Sequence, residues 1–315
     1  MRAVRLQSGK LLFDADYAEP EVPNGSIRVR VLQAGICETD LQLVAGYMAF
    51  EGVLGHEFVG IAESGRYEGQ RVVGEINCVC NDCEMCKNGL RNHCPNRSVV
   101  GILNHDGAFA DYVVVPEANL HVVPDEISND EATLVEPIAA ALRIPEQVDL
   151  VPGMQCVVVG DGRLGNLCAQ VLLAAKCKVT VVGKHLDKLK TFERMGIATC
   201  LLSDKATLQP APLAVDCAGS SSGLQTAISL VQPCGTVVMK TTVVDEHSLP
   251  FAPLVIDEIR LIGSRCGPFD NAIQSLIEKR FQLESFFSGR YPIEQCVPAF
   301  EHAAQKKALK VVLEL

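Results

Sequence analysis

The stretch Cys156-Val157-Val158-Val159-Gly160-Asp161-Gly162-Arg163-Leu164-Gly165 decides how this chain folds. Four apolar residues run without a break, which suits a strand covered on both faces. Three glycines follow at the spacing G-x-G-x-x-G, and the residues from Leu164 to Ala175 then predict a helix. Such a glycine pattern means little alone, but between a buried strand and a helix start it marks a dinucleotide site. Gly160 permits the tight turn, Gly162 lets a pyrophosphate approach the backbone, and Gly165 lets the helix pack on the strand. The helix start at Arg163 and Leu164 offers amide hydrogens and a favourable dipole to phosphate. The competing reading is a plain turn in an α/β domain.

Working outward, Val179 to Val182, Leu213 to Asp216 and Thr236 to Met239 read as further strands. Helical segments at Lys188 to Met195 and Gly223 to Val231 separate them, and Leu134 to Val148 forms a helix before the motif. This alternation predicts a doubly wound parallel sheet over residues 136–267. The second strand ends Val181-Val182-Gly183-Lys184-His185, with no carboxylate before Asp187. An Asp or Glu at that end would hold the ribose 2′-hydroxyl of NAD. Gly183 leaves room and Lys184 supplies positive charge, which favours NADP over NAD. The alternative is that Lys184 is merely a solvated loop residue.

The first 125 or so residues read differently. Ile27-Arg28-Val29-Arg30-Val31 alternates as a half-buried strand does, and frequent glycines punctuate short strands after it. A polar segment over 78–97 has almost no apolar periodicity and needs an external staple. Its Cys80, Cys83, Cys86 and Cys94 give C-x2-C-x2-C-x7-C. Four thiolates so close suit a closed, tetrahedral, structural zinc that replaces the missing core. Free thiols, disulfides or an iron–sulfur cluster are the competing readings, and the last lacks the ferredoxin spacing of its fourth Cys. Cys78 is a spare thiol beside the set. Cys37-Glu38-Thr39-Asp40, Gly55-His56-Glu57 and Glu136-Pro137 add a thiolate, an imidazole and carboxylates from separate segments, a usual catalytic zinc set with one position left open. Each piece alone is weak: a His after Gly is more often a turn residue, and Glu-Pro is usually a helix start.

Composition narrows the function. Across 315 residues the formal net charge is −10, which lacks the basic footprint a nucleic-acid binder needs. No run approaches ~20 apolar residues, the length of a membrane span. The N-terminal Met1-Arg2-Ala3-Val4-Arg5 lacks the apolar core of a secretory signal, so a cytoplasmic location is the expectation. The fourteen cysteines are then metal ligands and buried thiols rather than disulfides.

Taken together, the GHE motif, the four-Cys lobe, the Glu-Pro segment and the glycine-rich turn resemble, in order, the medium-chain zinc-dependent alcohol dehydrogenase family. The Glu136-Pro137 pattern looks closest to its sorbitol and threonine dehydrogenase branch. The resemblance implies a GroES-like β-rich catalytic domain (1–135 and 268–315, with the zinc lobe at 78–97) interrupted by a Rossmann domain (136–267), assembled as a homodimer or homotetramer. It implies two zinc ions per chain and hydride transfer between a small alcohol or polyol, or the matching carbonyl, and NAD(P). Cys37 and His56 match the catalytic zinc ligands. Glu136 matches the third ligand or a carboxylate one water away, and Glu57 a carboxylate that enters the zinc shell in some members. Thr39 matches the hydroxyl that contacts the substrate oxygen, and Asp40 an acid that orients the zinc-bound His. Two departures stand out: Gln42 replaces the His that usually continues the proton relay, and the chain is shorter than the family expectation. They leave room for a catalytically inactive cofactor-binding scaffold or sensor. A zinc-independent enone or quinone reductase is a third reading, against which the Cys37, His56 and Glu136 set argues.

Overall fold

A computed structural model describes residues 1–242, 249 and 251–315. The chain divides into two compact units. One comprises Met1–Glu136, Phe269–Glu278 and Leu283–Leu315, the other Pro137–Pro268 with Lys279–Gln282.

The second unit holds a six-stranded, wholly parallel sheet in the order Ala198–Leu201, Lys178–Gly183, Gln155–Val159, Ala211–Asp216, Val231–Met239, Arg260–Gly263. The chain enters at the central strand Gln155–Val159, moves outward one way, then returns to build the other half. The order therefore reverses beside Gln155–Val159, the place where open α/β sheets bind ligands. Val157, Val158, Val159, Ala214 and Val237 are buried in its core, as strands covered on both faces require. The expected helices appear at Arg163–Ala174, Leu186–Arg194 and Ser221–Ser229. The short strand Ala198–Leu201 carries only four residues and gave no clear sequence pattern. Gln170 draws the 279–282 segment onto this unit: its Oε1 accepts the Gln282 backbone N–H at 2.7 Å.

The first unit is built on a seven-stranded sheet. Its centre is Ser26–Gly35, paired antiparallel with Glu57–Ala62 and with Tyr112–Pro116. The last strand, Lys310–Glu314, runs antiparallel to Ser26–Gly35 and parallel to Phe287–Pro292, so sequence-distant segments complete one sheet. A smaller sheet joins Ala3–Gln7, Lys10–Asp14 and Gly52–Val53. No helix among the described residues is long and apolar enough to cross a membrane.

Two glycines of the decisive motif face opposite constraints. A Cβ on Gly165 would lie 2.1 Å from the Gly160 carbonyl oxygen, whereas one on Gly162 would meet nothing within 4 Å. Gly165→Ala is expected to lower stability by about 1–3 kcal/mol, the usual cost of overpacking, read from the urea midpoint. Gly162→Ala should leave that midpoint where it is.

Candidate active site and metal centres

The register of two strands builds the first centre. Gly35 lies opposite Glu57 in the antiparallel pair. Cys37 follows two residues beyond Gly35, and His56 precedes Glu57, so the ladder carries both to the same end of the sheet and closes 19 residues of sequence. The ligand atoms of Cys37, His56 and Glu57 all lie within 4.8 Å of one another. Gly55 makes this turn possible. Its φ is +97°, and a Cβ there would sit 2.5 Å from the Phe109 ring.

Cys37 caps the helix Glu38–Val44, and Asp40 closes the cap from the third position. The Asp40 carboxylate is fully buried. One oxygen accepts the Cys37 N–H at 2.8 Å; the other accepts the Gly55 N–H at 3.3 Å and lies 3.4 Å from His56 Nδ1. At that distance the contact with His56 is an electrostatic one rather than a strong hydrogen bond. Burial opposes charge on the His56 ring, but the Asp40 carboxylate and the Cys37 sulfur outweigh it and hold the ring's pKa well above its ordinary value. The pocket thus draws positive charge to a thiol, an imidazole and a carboxylate, which is the donor chemistry of a zinc site.

Expected and observed sets differ at the carboxylate. The resemblance offered Glu136 as third ligand or as a carboxylate one water away, and Glu57 as a carboxylate that enters the shell; the structure brings Glu57 beside Cys37 and His56, while Glu136 stands outside that group, in the first turn of the helix Val135–Gln147. The reason is chain connectivity: Glu57 follows His56 directly and opens the strand that makes the ladder. Glu57 is buried and ion-paired with Lys310, which is also buried and lies 3.4 Å from the Ile36 carbonyl. Lys310 is a member of the site that sequence reasoning missed. Thr39 is half-buried in the first turn of the helix Glu38–Val44. Gln42 donates to Glu38 one turn back, at 3.1 Å.

In the lobe, the sulfurs of Cys80, Cys83, Cys86 and Cys94 form a second group within 4.8 Å. Cys80 and Cys94 are 3.5 Å apart, and Cys83 and Cys94 3.8 Å. A tetrahedral zinc with bonds of about 2.3 Å has sulfur edges of about 3.8 Å, whereas a disulfide needs about 2.05 Å. All fourteen cysteines are free thiols. Backbone amides of Asp82 and Cys83 hydrogen-bond Cys80 and pull its pKa down to about 6, whereas burial and the sulfurs of Cys83 and Cys94 push Cys86 up to about 12. Four crowded sulfurs cannot all be anionic without a shared cation. Met85 and Leu90 of the lobe are exposed, so no apolar core holds it. Cys78 stays outside the group, its pKa raised to about 11 by burial.

The glycine-rich turn fits a dinucleotide. Gly160 N–H donates to Val182 across the sheet, and Gly162 caps the helix with open space beside it. Arg163 and Leu164 open the helix, and first-turn amides at a helix N-terminus suit a phosphate. Lys184 is exposed just past the strand Lys178–Gly183. The expectation that Gly183 leaves room for a phosphate is corrected: the carboxylate of Asp161 takes that space, 2.6 Å from where a Cβ would stand.

Metal analysis of the whole chain is expected to give two zinc ions. Cys94→Ser should lose one of them and raise amide exchange across 80–94. Lys310→Met leaves a buried carboxylate without its counter-charge and should cost about 3–5 kcal/mol in urea unfolding, while Lys310→Arg keeps most of it.

The alcohol dehydrogenase GroES-like domain family matches residues 23–125, and the zinc-binding dehydrogenase family matches 164–281. An L-threonine 3-dehydrogenase of Streptomyces avermitilis is 28% identical, the match covering 96% of this chain and 96% of that protein. A sorbitol dehydrogenase of Halalkalibacterium halodurans is 26% identical, over 94% and 93%. Among solved structures, a zinc-binding dehydrogenase of Sinorhizobium meliloti bound to NADP has a TM-score of 0.90 at 25% identity, covering 100% of this chain and 99% of that one. An Escherichia coli alcohol dehydrogenase complexed with NADH has the same TM-score, 0.90, at 23% identity and the same coverage, 100% and 99%. The GroES-like first unit, the Rossmann second unit and these relatives agree: the chain is an oxidoreductase acting on CH–OH groups and belongs to the medium-chain zinc-dependent alcohol dehydrogenase family.

Proposed function

We propose that this enzyme interconverts a small alcohol or polyol and its carbonyl at the centre formed by Cys37, His56 and a carboxylate, with NADP favoured over NAD. The observation that carries the reading is the buried donor set closed by Asp40. Residues 1–135 and 268–315 would form the catalytic domain, and 136–267 the dinucleotide domain.

A zinc ion held there supplies Lewis acidity, which lowers the pKa of an alcohol oxygen. Cys37 and His56 are its ligands, with Glu57 or Glu136 as the carboxylate. Asp40 holds the Cys37 backbone and the His56 ring in place. Thr39 would relay the substrate's hydroxyl proton, accepting a hydrogen bond from it while passing its own proton on, and a bound nicotinamide would supply the hydride acceptor. Gln42 cannot carry that proton at neutral pH, and its amide is engaged with Glu38, so the proton would leave through water or cofactor hydroxyls. Lys310 balances Glu57 while that carboxylate is not a ligand.

Two observations support the cofactor preference: the strand Lys178–Gly183 ends without a carboxylate, and Lys184 follows it exposed. The Sinorhizobium meliloti relative is bound to NADP and the Escherichia coli one to NADH, so both cofactors occur on this fold. The parallel sheet ends at Arg260–Gly263, and Phe251, Val255 and Ile256 are exposed before it, which suits self-association into a dimer or tetramer. Free thiols throughout fit a cytoplasmic location.

A panel of alcohols, polyols and aldehydes, run with NAD(H) and NADP(H) in parallel, tests the reading. Cys37→Ser should reduce turnover to background and leave the lobe zinc bound. Undiminished turnover would remove the catalytic assignment, and no turnover by the unmodified chain would favour the scaffold reading. Rates with NAD equal to or above those with NADP would overturn the cofactor preference.

A further inference from the structure

The carboxylate missing from the end of the second Rossmann strand is not missing from that place in the fold. Asp161, the first variable residue of the glycine-rich turn, is buried and reaches across to the loop after Lys178–Gly183. Its Oδ2 accepts the backbone N–H groups of Lys184 and His185, each at 2.8 Å. Both of its oxygens lie 3.1 Å from His185 Nδ1. The carboxylate that an NAD site would turn toward the ribose is here turned onto the loop, with Oδ2 held by two backbone amides and Oδ1 against His185. A side chain at Gly183 would collide with it, since a Cβ there falls 2.6 Å from Oδ2 and 2.8 Å from the Asp161 Cβ.

This arrangement has a consequence for ligand charge. Asp161 fixes two successive backbone amides and one ring nitrogen, so the loop and the imidazole are oriented before any ligand arrives. With Nδ1 on the carboxylate, Nε2 is the ring atom left to point outward, and in the imidazolium form it donates. The ring keeps 36% of its surface exposed, and the Lys184 side chain is exposed beside it. Lys184 and the free edge of the His185 ring therefore stand together at the end of the strand.

We propose that His185, through Nε2, is a second contact for the 2′-phosphate of NADP, beside Lys184, and that Asp161 is the positioning residue for both. The proposal rests on the NADP reading above and extends it to residues that no glycine-motif argument would select.

Calorimetry of the full chain with adenosine 2′,5′-bisphosphate and with AMP tests it without turnover. The unmodified chain should bind the bisphosphate more tightly. His185→Ala should cut the bisphosphate-to-AMP affinity ratio by about tenfold, the loss of one charge-assisted hydrogen bond, with AMP binding and melting temperature held. Asp161→Asn separates positioning from proximity by sign. A carboxylate that merely lies near a dianion repels it, so its loss would raise the ratio; a carboxylate that orients the donors lowers the ratio when lost. If Asp161→Asn does not fold, His185→Ala and the unmodified chain still decide. A ratio unchanged in His185→Ala but abolished in Lys184→Ala overturns this proposal and keeps the NADP reading. An unmodified chain that binds AMP as tightly as the bisphosphate overturns both.

Discussion

The buried carboxylate of Asp40 ties together the parts of the first candidate metal centre. It receives the backbone N–H of Cys37 on one side and that of Gly55 on the other, and it lies against the His56 ring. A helix cap, a glycine turn and an imidazole are thereby fixed by one anion that water does not reach. Burying a carboxylate is costly unless its oxygens are satisfied, and here the backbone groups that satisfy it are those that carry the candidate ligands. Folding of the helix start and assembly of the metal pocket are consequently one event. The antiparallel ladder from Gly35 to Glu57 does the long-range part, and Asp40 sets the fine geometry.

The same logic recurs in the second unit. Asp161 there plays toward Lys184 and His185 the part that Asp40 plays toward Cys37 and His56: a carboxylate turned inward onto backbone amides, with an imidazole beside it. In both places the negative charge organises groups whose chemistry is directed elsewhere.

Much of this was legible in the sequence, and the limits are physical. Strands such as Cys156-Val157-Val158-Val159 announce themselves because burial on both faces leaves no polar position. The four-Cys lobe is legible because four thiols stand close together among polar residues, with no apolar periodicity. The strand Phe287–Pro292 was not, since its half-exposed FSGRYP pattern mixes turn residues with aromatics. Lys310 was missed because a lysine in an apolar strand looks like a surface residue, and only the paired Glu57 explains it. Glu136 and Glu57 could not be ranked from sequence, because proximity to Cys37 depends on strand register. The second position of G-x-G-x-x-G is conventionally open to any residue, so Asp161 carried no signal until its partners were located.

The Glu57–Lys310 pair has a consequence for how the enzyme is made. The lobe cysteines lie close together in the chain, within residues 80–94, and can come together soon after that segment leaves the ribosome. Lys310 is synthesised only after residues 137–268, so through most of translation Glu57 has no buried cation to meet. The two groups therefore assemble over different spans of chain: the four sulfurs come from one local segment, whereas the buried Glu57–Lys310 pair forms only when the last strand docks beside Ser26–Gly35.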